Sequence, residues 1–580
     1  MEGGEEGTGG GGNAMTILNL PTELWRFFVP GERVMMMRST SRTGKEKTDG
    51  SGADVEVFLN MKEWYKERRS NEYEKRKMIL DKVGGLTEKF KVKSLGLMNF
   101  GMTVKDIPQI RRMLEKCTNL ECLELAHNEI GAGLRDILGI QALTSLTTLN
   151  LKRVNRYDHF VVSLKEIVNF FPFLSHLCLE GNRMGLMKET EGTGAVLVRP
   201  ALKFLCLKEN YVCGEGLLSV REVIGKCPGL TELDLSHNLW RNHDVDMLVG
   251  MFSKCKLIST LNFDGNDMDH DTDLELTLAN ALSELEMLTD LNLNGNRLDD
   301  FNFMGLVLRK CTGIQYLDLG SARIRESGAT ALAGVLVTCA ELRMLNLHKN
   351  LIGIAGVQAI AGGIGHCAHL NGLNMSDNEI GDAGAEALAV VVGNVKFLNV
   401  SKCGLGARGC EALVGLPFQQ LEDLDLSDNA IQKYGVEVMA DAAGSWPALK
   451  TLSISGNMIG MHGTHAVVRV LKEAKGLTEL QLSGNNIQDK GVEILTHGLV
   501  VCEKLRELWL STNNITDRGA TCLAGVLPRC TSLTELSISY NEKIGRAGVR
   551  ALQEAEEGSS VTVDVRQRLW TRVGGGGAGR

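Results

Sequence analysis

One template, repeated at a fixed step, constrains this chain more than any other feature. Residues 370 to 389 read LNGLNMSDNEIGDAGAEALA, with Leu370, Leu373, Met375, Asn378, Ile380, Gly384 and Leu388 at set offsets. One copy earlier Leu342, Leu345, Leu347, Asn350, Ile352, Gly356 and Ile360 hold the same offsets, so the step is 370 − 342 = 28 residues. A period of that size implies a solenoid, in which each copy buries its apolar face only against its neighbours. First apolar strand positions run from Val92 through Leu120, Leu230 and Ile314 to Leu505 and Leu533 at steps of 25 to 30, about 17 copies, and Val561, Val563 and Val565 add a closing strand.

Within one copy the LxxLxL stretch reads as a strand. Its apolar side chains point inward and the residue between the last two points out, because strand side chains alternate faces. Each strand pairs in parallel with the next copy's strand, and a helix returns the chain along the other side. The Asn that follows, as at Asn128, Asn182, Asn350, Asn429 and Asn513, can satisfy buried turn amides and carbonyls, so stacked copies form an Asn ladder. Phe100, Val154, Ala322 and Cys403 interrupt that ladder, and looser turns are expected there. A Gly opens the helix in the later copies, from Gly328, Gly356 and Gly384 to Gly519 and Gly548.

Strands spaced at ~4.8 Å backed by helices spaced at roughly 8–10 Å imply a bend on the order of 20° per copy. The expected fold class is therefore α/β, a deep horseshoe with a parallel sheet on the concave face and helices on the convex face. The LxxLxLxxNxIxxxG pattern resembles the leucine-rich repeats of the ribonuclease-inhibitor type over about four fifths of the chain.

The remaining segments flank this array. Residues 1–14 are too rich in Gly and Glu to fold, and residues 571–580 form a flexible tail. Residues 15–43 carry two short apolar stripes expected as amphipathic helices, residues 44–53 read as a linker, and residues 54–91 as capping helices for the first core layer of the array at 92–570. In the 15–43 segment Leu20-Pro21-x-Glu23-Leu24, Phe28, Val34 and Ser41-Arg42 resemble an F-box over about 25 residues. That resemblance implies docking of a Skp-type adaptor of a cullin-RING ubiquitin ligase through Leu20, Pro21, Leu24, Phe28 and Val34. The alternative is a helical cap.

Composition narrows the function classes. A net charge of −8 lacks the basic stripe that nucleic-acid binding usually asks for. No apolar run reaches the roughly 18 residues of a membrane helix, and the amino terminus lacks a basic region followed by an apolar core, so a cytoplasmic or nuclear setting is expected. Of 15 cysteines none forms a CxxC pair, and eight, including Cys117, Cys227, Cys255 and Cys530, sit three residues before the next strand's first apolar position. They read as reduced, buried plugs rather than metal ligands.

GxxxxGK[ST], HExxH and GxSxG are all missing from the sequence, so neither catalysis nor a cofactor is expected. The array offers instead a wide surface of outward strand residues, from Glu124 and Asn150 through Cys178, Cys206 and Asp234 to Trp509 and Ser537. Trp509, with Arg506, Glu507 and Tyr540 nearby in sequence or in the next copy, is the residue type that anchors interfaces. Glu422, Asp423, Asp425 and Asp428 form an acidic patch suited to a basic partner segment. The expected function is a protein-interaction scaffold or receptor that grips a protein partner on the concave face, the ligase substrate receptor being the more specific alternative. Ran GTPase-activating proteins resemble this chain in repeat type but end in an acidic tail, whereas this chain ends in Gly and Arg.

Overall fold

The computed structural model describes residues 36–39, 54–60, 72–89, 91–155, 162–186, 196, 200–214, 216–240, 242–266, 268, 272–298 and 301–566. Contacts divide the chain into two compact units, Met1–Val162 and Ser163–Arg580. The repeat pattern alone suggests a single array. In a solenoid each copy touches only its neighbours, so a division falls wherever neighbour contacts thin.

In the second unit each copy contributes a three-residue strand, and the fifteen strands from His176–Cys178 to Thr562–Asp564 pair in parallel, each with the next. Residue faces residue without slippage: Leu480 lies opposite Leu508, and Leu508 opposite Leu536. These central leucines are fully buried, as are helix residues such as Leu495, Leu523 and Leu552, so the core is a continuous apolar layer between sheet and helices. Register is held because a slip of one residue would turn every leucine to water. In the first unit Lys91–Met98 pairs in parallel with Cys122–Glu124, and that strand with Thr148–Asn150.

Upstream of Lys91 the outcome differs from the sequence expectation. Residues 54–91 are not all helical: Asp54–Asn60 is a strand, parallel to Lys91–Met98; and within the 15–43 segment expected as amphipathic helices, Met36–Ser39 is instead a strand antiparallel to Asp54–Asn60. The stretch DVEVFLN alternates Val55, Val57 and Leu59 with other residues at period two, which favours a strand over a helix. A helix follows at Glu72–Lys89, whose Leu80 and Val83 are buried and whose Arg76 faces the buried Asp106 at 3.5 Å. The linker at 44–53 and the docking residues Leu20, Pro21, Leu24, Phe28 and Val34 lie outside the described residues.

The Asn ladder forms with a direction. Asn238 donates through Nδ2 to the Leu207 and Leu235 carbonyls, both at 2.9 Å, and its Oδ1 accepts from the Asn210 N–H at 3.0 Å and the Val212 N–H at 3.1 Å. At three of the interruptions other groups take over part of the asparagine's hydrogen bonding. The Val154 carbonyl accepts from the Ile130 N–H at 3.1 Å and the Ala322 carbonyl from the Leu298 N–H at 3.2 Å. At Cys403 the thiol donates to the Met375 carbonyl at 3.2 Å.

Some of the glycines at the starts of the later helices, Gly409 and Gly548 among them, have a cause outside their own copy. Asp382 Oδ1 accepts from the Gly406 and Gly409 N–H groups at 2.7 and 2.8 Å, and Asp517 Oδ1 from those of Gly545 and Gly548 at 2.6 and 2.8 Å. Each aspartate thus caps the helix N-terminus of the following copy. A Cβ at Gly409 or Gly548 would stand 2.5 or 2.6 Å from that carboxylate oxygen.

Candidate functional site on the strand face

Alternation leaves two side chains per strand on the face opposite the helices. In the second unit the later strands present them as two parallel rows. One row reads Phe397, Asp423, Thr451, Glu479, Glu507, Glu535 and the other Asn399, Asp425, Ser453, Gln481, Trp509, Ser537. Glu479, Glu507 and Glu535 are consecutive in register and half-buried, at a strand spacing of about 4.8 Å. The glutamate row lies two places before the second row in each strand, so the same repeat spacing makes it legible in the sequence.

Much of this face is tied together by hydrogen bonds within and between strands. Asn346 Nδ2 donates to Asp318 Oδ2 at 2.9 Å, and the Tyr316 hydroxyl donates to the same oxygen at 3.1 Å. Asn399 Nδ2 donates to Asp425 Oδ2 at 3.1 Å, Ser453 Oγ to Gln481 Oε1 at 3.1 Å, and Gln481 Nε2 to Glu479 Oε1 at 2.6 Å. Asn, Asp, Ser and Gln therefore brace the face as well as furnishing it. His237 and His348 join in similarly, His237 Nε2 lying 3.2 Å from Asp264 Oδ2 and His348 Nδ1 2.9 Å from Asn346 Oδ1.

The acidic patch read from the sequence is split by its surroundings. Glu422 pairs with Lys450, which holds its carboxyl below the ordinary range, and lies 3.8 Å from Lys396. Asp428 is an exposed turn residue at positive φ, 3.9 Å from Lys402. Asp423 and Asp425 face the strand surface, and burial, then the charges of Asp425 and Glu479, push the Asp423 carboxyl up to about 6. The structure thus groups Asp423 and Asp425 with the glutamate row and assigns Glu422 and Asp428 to lysine partners.

Trp509 is half-buried between Gln481 and Ser537, with its indole N–H shielded from water and lacking a hydrogen-bond acceptor among the described residues. The ring is thus largely covered by its neighbours rather than standing free. Glu507 shares the Trp509 strand, Arg506 precedes it as an exposed residue, and Tyr540 is 51% exposed in a turn at positive φ. Elsewhere on the strand face Cys178, Glu180 and Cys206 bring three metal-type donors together.

The cysteines placed before each strand behave as structural plugs. Cys227 Sγ donates to the Val223 carbonyl at 3.1 Å and Cys530 Sγ to that of Val526 at 3.4 Å, and Cys502 alone of the eight is half-buried rather than buried. Burial pushes the Cys227 and Cys311 thiols up to about 12. Among the described residues no helix is long and apolar enough to cross a membrane.

A family model agrees with this architecture. A family model for the leucine-rich repeat matches residues 116–133, 366–389, 394–414, 477–495, 501–524 and 529–552. Protein NLRC5 of Ictalurus punctatus is 26% identical over 248 residues, which make up 42% of this chain and 14% of that protein, so the chain spans a small part of that relative's length. The crystal structure of an internalin (inlF) from Listeria monocytogenes aligns with 69% of this chain and 94% of its own at 17% identity and a TM-score of 0.38. The repeated strand, Asn turn and helix, stacked in parallel register, define an α/β leucine-rich-repeat solenoid.

Proposed function

We propose that the second unit is a non-enzymatic protein-interaction scaffold of the ribonuclease-inhibitor repeat type, whose concave strand face receives a basic segment of a protein partner. The in-register row Glu479, Glu507 and Glu535 carries this reading. Like charges directly opposite on neighbouring strands repel, and a Lys or Arg laid across them relieves the repulsion. Asp423 and Asp425 extend the negative surface, and Trp509, Tyr540 and Arg506 border it. Opposite charge steers such a partner in and sets its register. The unbridged, mostly buried cysteines support a reducing cytoplasmic or nuclear setting.

The test is affinity capture from cells of the source organism with wild-type protein and with Glu479→Lys/Glu507→Lys/Glu535→Lys. A protein captured by wild type, released at raised salt and lost in the triple variant supports the reading; the same proteins captured equally by both would refute it. The adaptor-docking alternative is read out in the same experiment. A Skp-type adaptor and a cullin lost only with Leu24→Asp/Phe28→Asp would make the chain a ligase substrate receptor. A GTP-hydrolysis assay with candidate GTPases covers the Ran-type alternative.

A further inference from the structure

Two neighbouring copies place cysteine at the same outward strand position, 206 − 178 = 28 residues apart. His176–Cys178 and Phe204–Cys206 are parallel neighbours with Cys178 opposite Cys206. Leu177 and Leu205 are buried, so alternation sends both thiols to the strand face. Glu180 brings its carboxylate to the same place, and the donor atoms of Cys178, Glu180 and Cys206 all lie within 4.8 Å of one another. Asp234 stands opposite Cys206 on the next strand, its Oδ2 3.8 Å from the Cys206 sulfur. It is held there by Ser236, whose N–H and hydroxyl donate to Oδ1 at 2.9 and 2.6 Å. Cys206 is 5% exposed and Cys178 half-buried, so the cluster is shielded yet reachable from the face.

We propose that Cys178, Glu180 and Cys206 bind one thiophilic divalent cation, with zinc the ion that fits the donor set. Two sulfurs and one carboxylate oxygen suit zinc or cadmium, whereas calcium and magnesium take oxygen donors. In tetrahedral zinc with Zn–S bonds of ~2.3 Å the sulfurs stand ~3.8 Å apart. Closing the present spread needs a movement of about 1 Å or less, within reach of side-chain rotation because strand register already fixes both backbones. Three protein ligands leave a fourth position for water. Binding exchanges two S–H bonds for two Zn–S bonds, releases both protons to solvent and transfers no electrons. Asp234 contributes negative charge beside the cation as an outer carboxylate. Repeat spacing, not a CxxC motif, supplies the ligands, which is why a search by local spacing passes over them.

The test uses reduced, metal-stripped full-length protein titrated with cadmium as a spectroscopic probe, and with zinc against a chromophoric chelator. Wild type is expected to show a thiolate-to-cadmium charge-transfer band that saturates at one ion per chain. Cys178→Ser and Cys206→Ser should each weaken zinc binding by at least the roughly 10–100-fold that outer-shell changes alone cost. Glu180→Gln should weaken zinc while keeping the band, and Cys522→Ser should change neither. Serine suits the position, since Ser453 and Ser537 occupy it in later copies. Alkylation mass spectrometry of wild type gives a readout that needs no variant: cadmium should protect Cys178 and Cys206 and leave Cys522 reactive. Absence of a one-equivalent band in wild type, an unchanged band and affinity in Cys178→Ser, or protection at other cysteines instead would overturn the assignment.

Discussion

At the scale of single residues, Asp423 shows how the strand face trades stability for charge. Its carboxyl is pushed up to about 6 from an ordinary 3.8, first by burial and then by Asp425 and Glu479. The folded chain therefore binds more protons than the unfolded chain between those values. The favourable contribution of the protonated form is complete below about pH 4 and is lost as pH rises through about 6. Asp423→Asn should stabilise the protein at about pH 8, by on the order of 1 kcal/mol once solvent screening of a half-buried group is allowed for, and do nothing at about pH 4. Denaturant midpoints of both proteins at the two pH values check this. Asn238 makes the opposite case, since its amide serves five backbone groups while buried. Asn238→Ala should cost roughly 3 kcal/mol or more. Asn296→Ala should cost less by the same measurement, because Asn296 Oδ1 has no hydrogen-bond partner among the described residues. The Asn column is plain in the sequence; the difference between its members is not, because it depends on whether the preceding copy's N–H groups reach the Oδ1.

At the scale of elements, helix starts are built by neighbouring copies. Asp489 repeats the capping pattern of Asp382 and Asp517, accepting from the Thr516 and Gly519 N–H groups at 2.8 and 3.0 Å. Asp517→Ala should cost about 1–2 kcal/mol by leaving helix N–H groups uncapped. Gly548→Ala should destabilise by displacing the same carboxylate, so the double variant should lose less than the sum of the two, as read by a double-mutant cycle in urea. The Gly column is legible without coordinates. Its reason is not, since Asp517 lies 31 residues before Gly548. The amino-terminal strand Asp54–Asn60 runs the other way: helical spacing over 54–91 as a whole masks the short period-two alternation of Val55, Val57 and Leu59, and pairing with Lys91–Met98 makes that stretch a strand. A seven-residue segment is short enough for its neighbour to decide its state.

At the scale of the whole molecule, function follows from what stacking does to side chains far apart in sequence. The half-buried glutamates still meet solvent, so binding of a basic partner should weaken between low and about 0.5 M salt, where the Debye length falls to a few Å. Glu507→Lys should weaken it further without lowering the melting temperature, because the side chain is outside the core. Trp509→Ala should reduce both binding and stability, since the ring is half-buried among its neighbours. Calorimetry beside a binding titration separates the three outcomes.

The sequence by itself determined the repeat, its parallel strand and helix, the buried leucine and asparagine columns and the plugging role of cysteines before the strands. Each of these depends on contacts that recur from copy to copy, so a periodic pattern encodes them. Only the tertiary structure decided which charges stand alone and which are paired, that Trp509 is partly covered, that aspartates cap the next copy's helix, and that Cys178, Glu180 and Cys206 converge. Those features arise between copies, where register brings together residues that no local spacing connects.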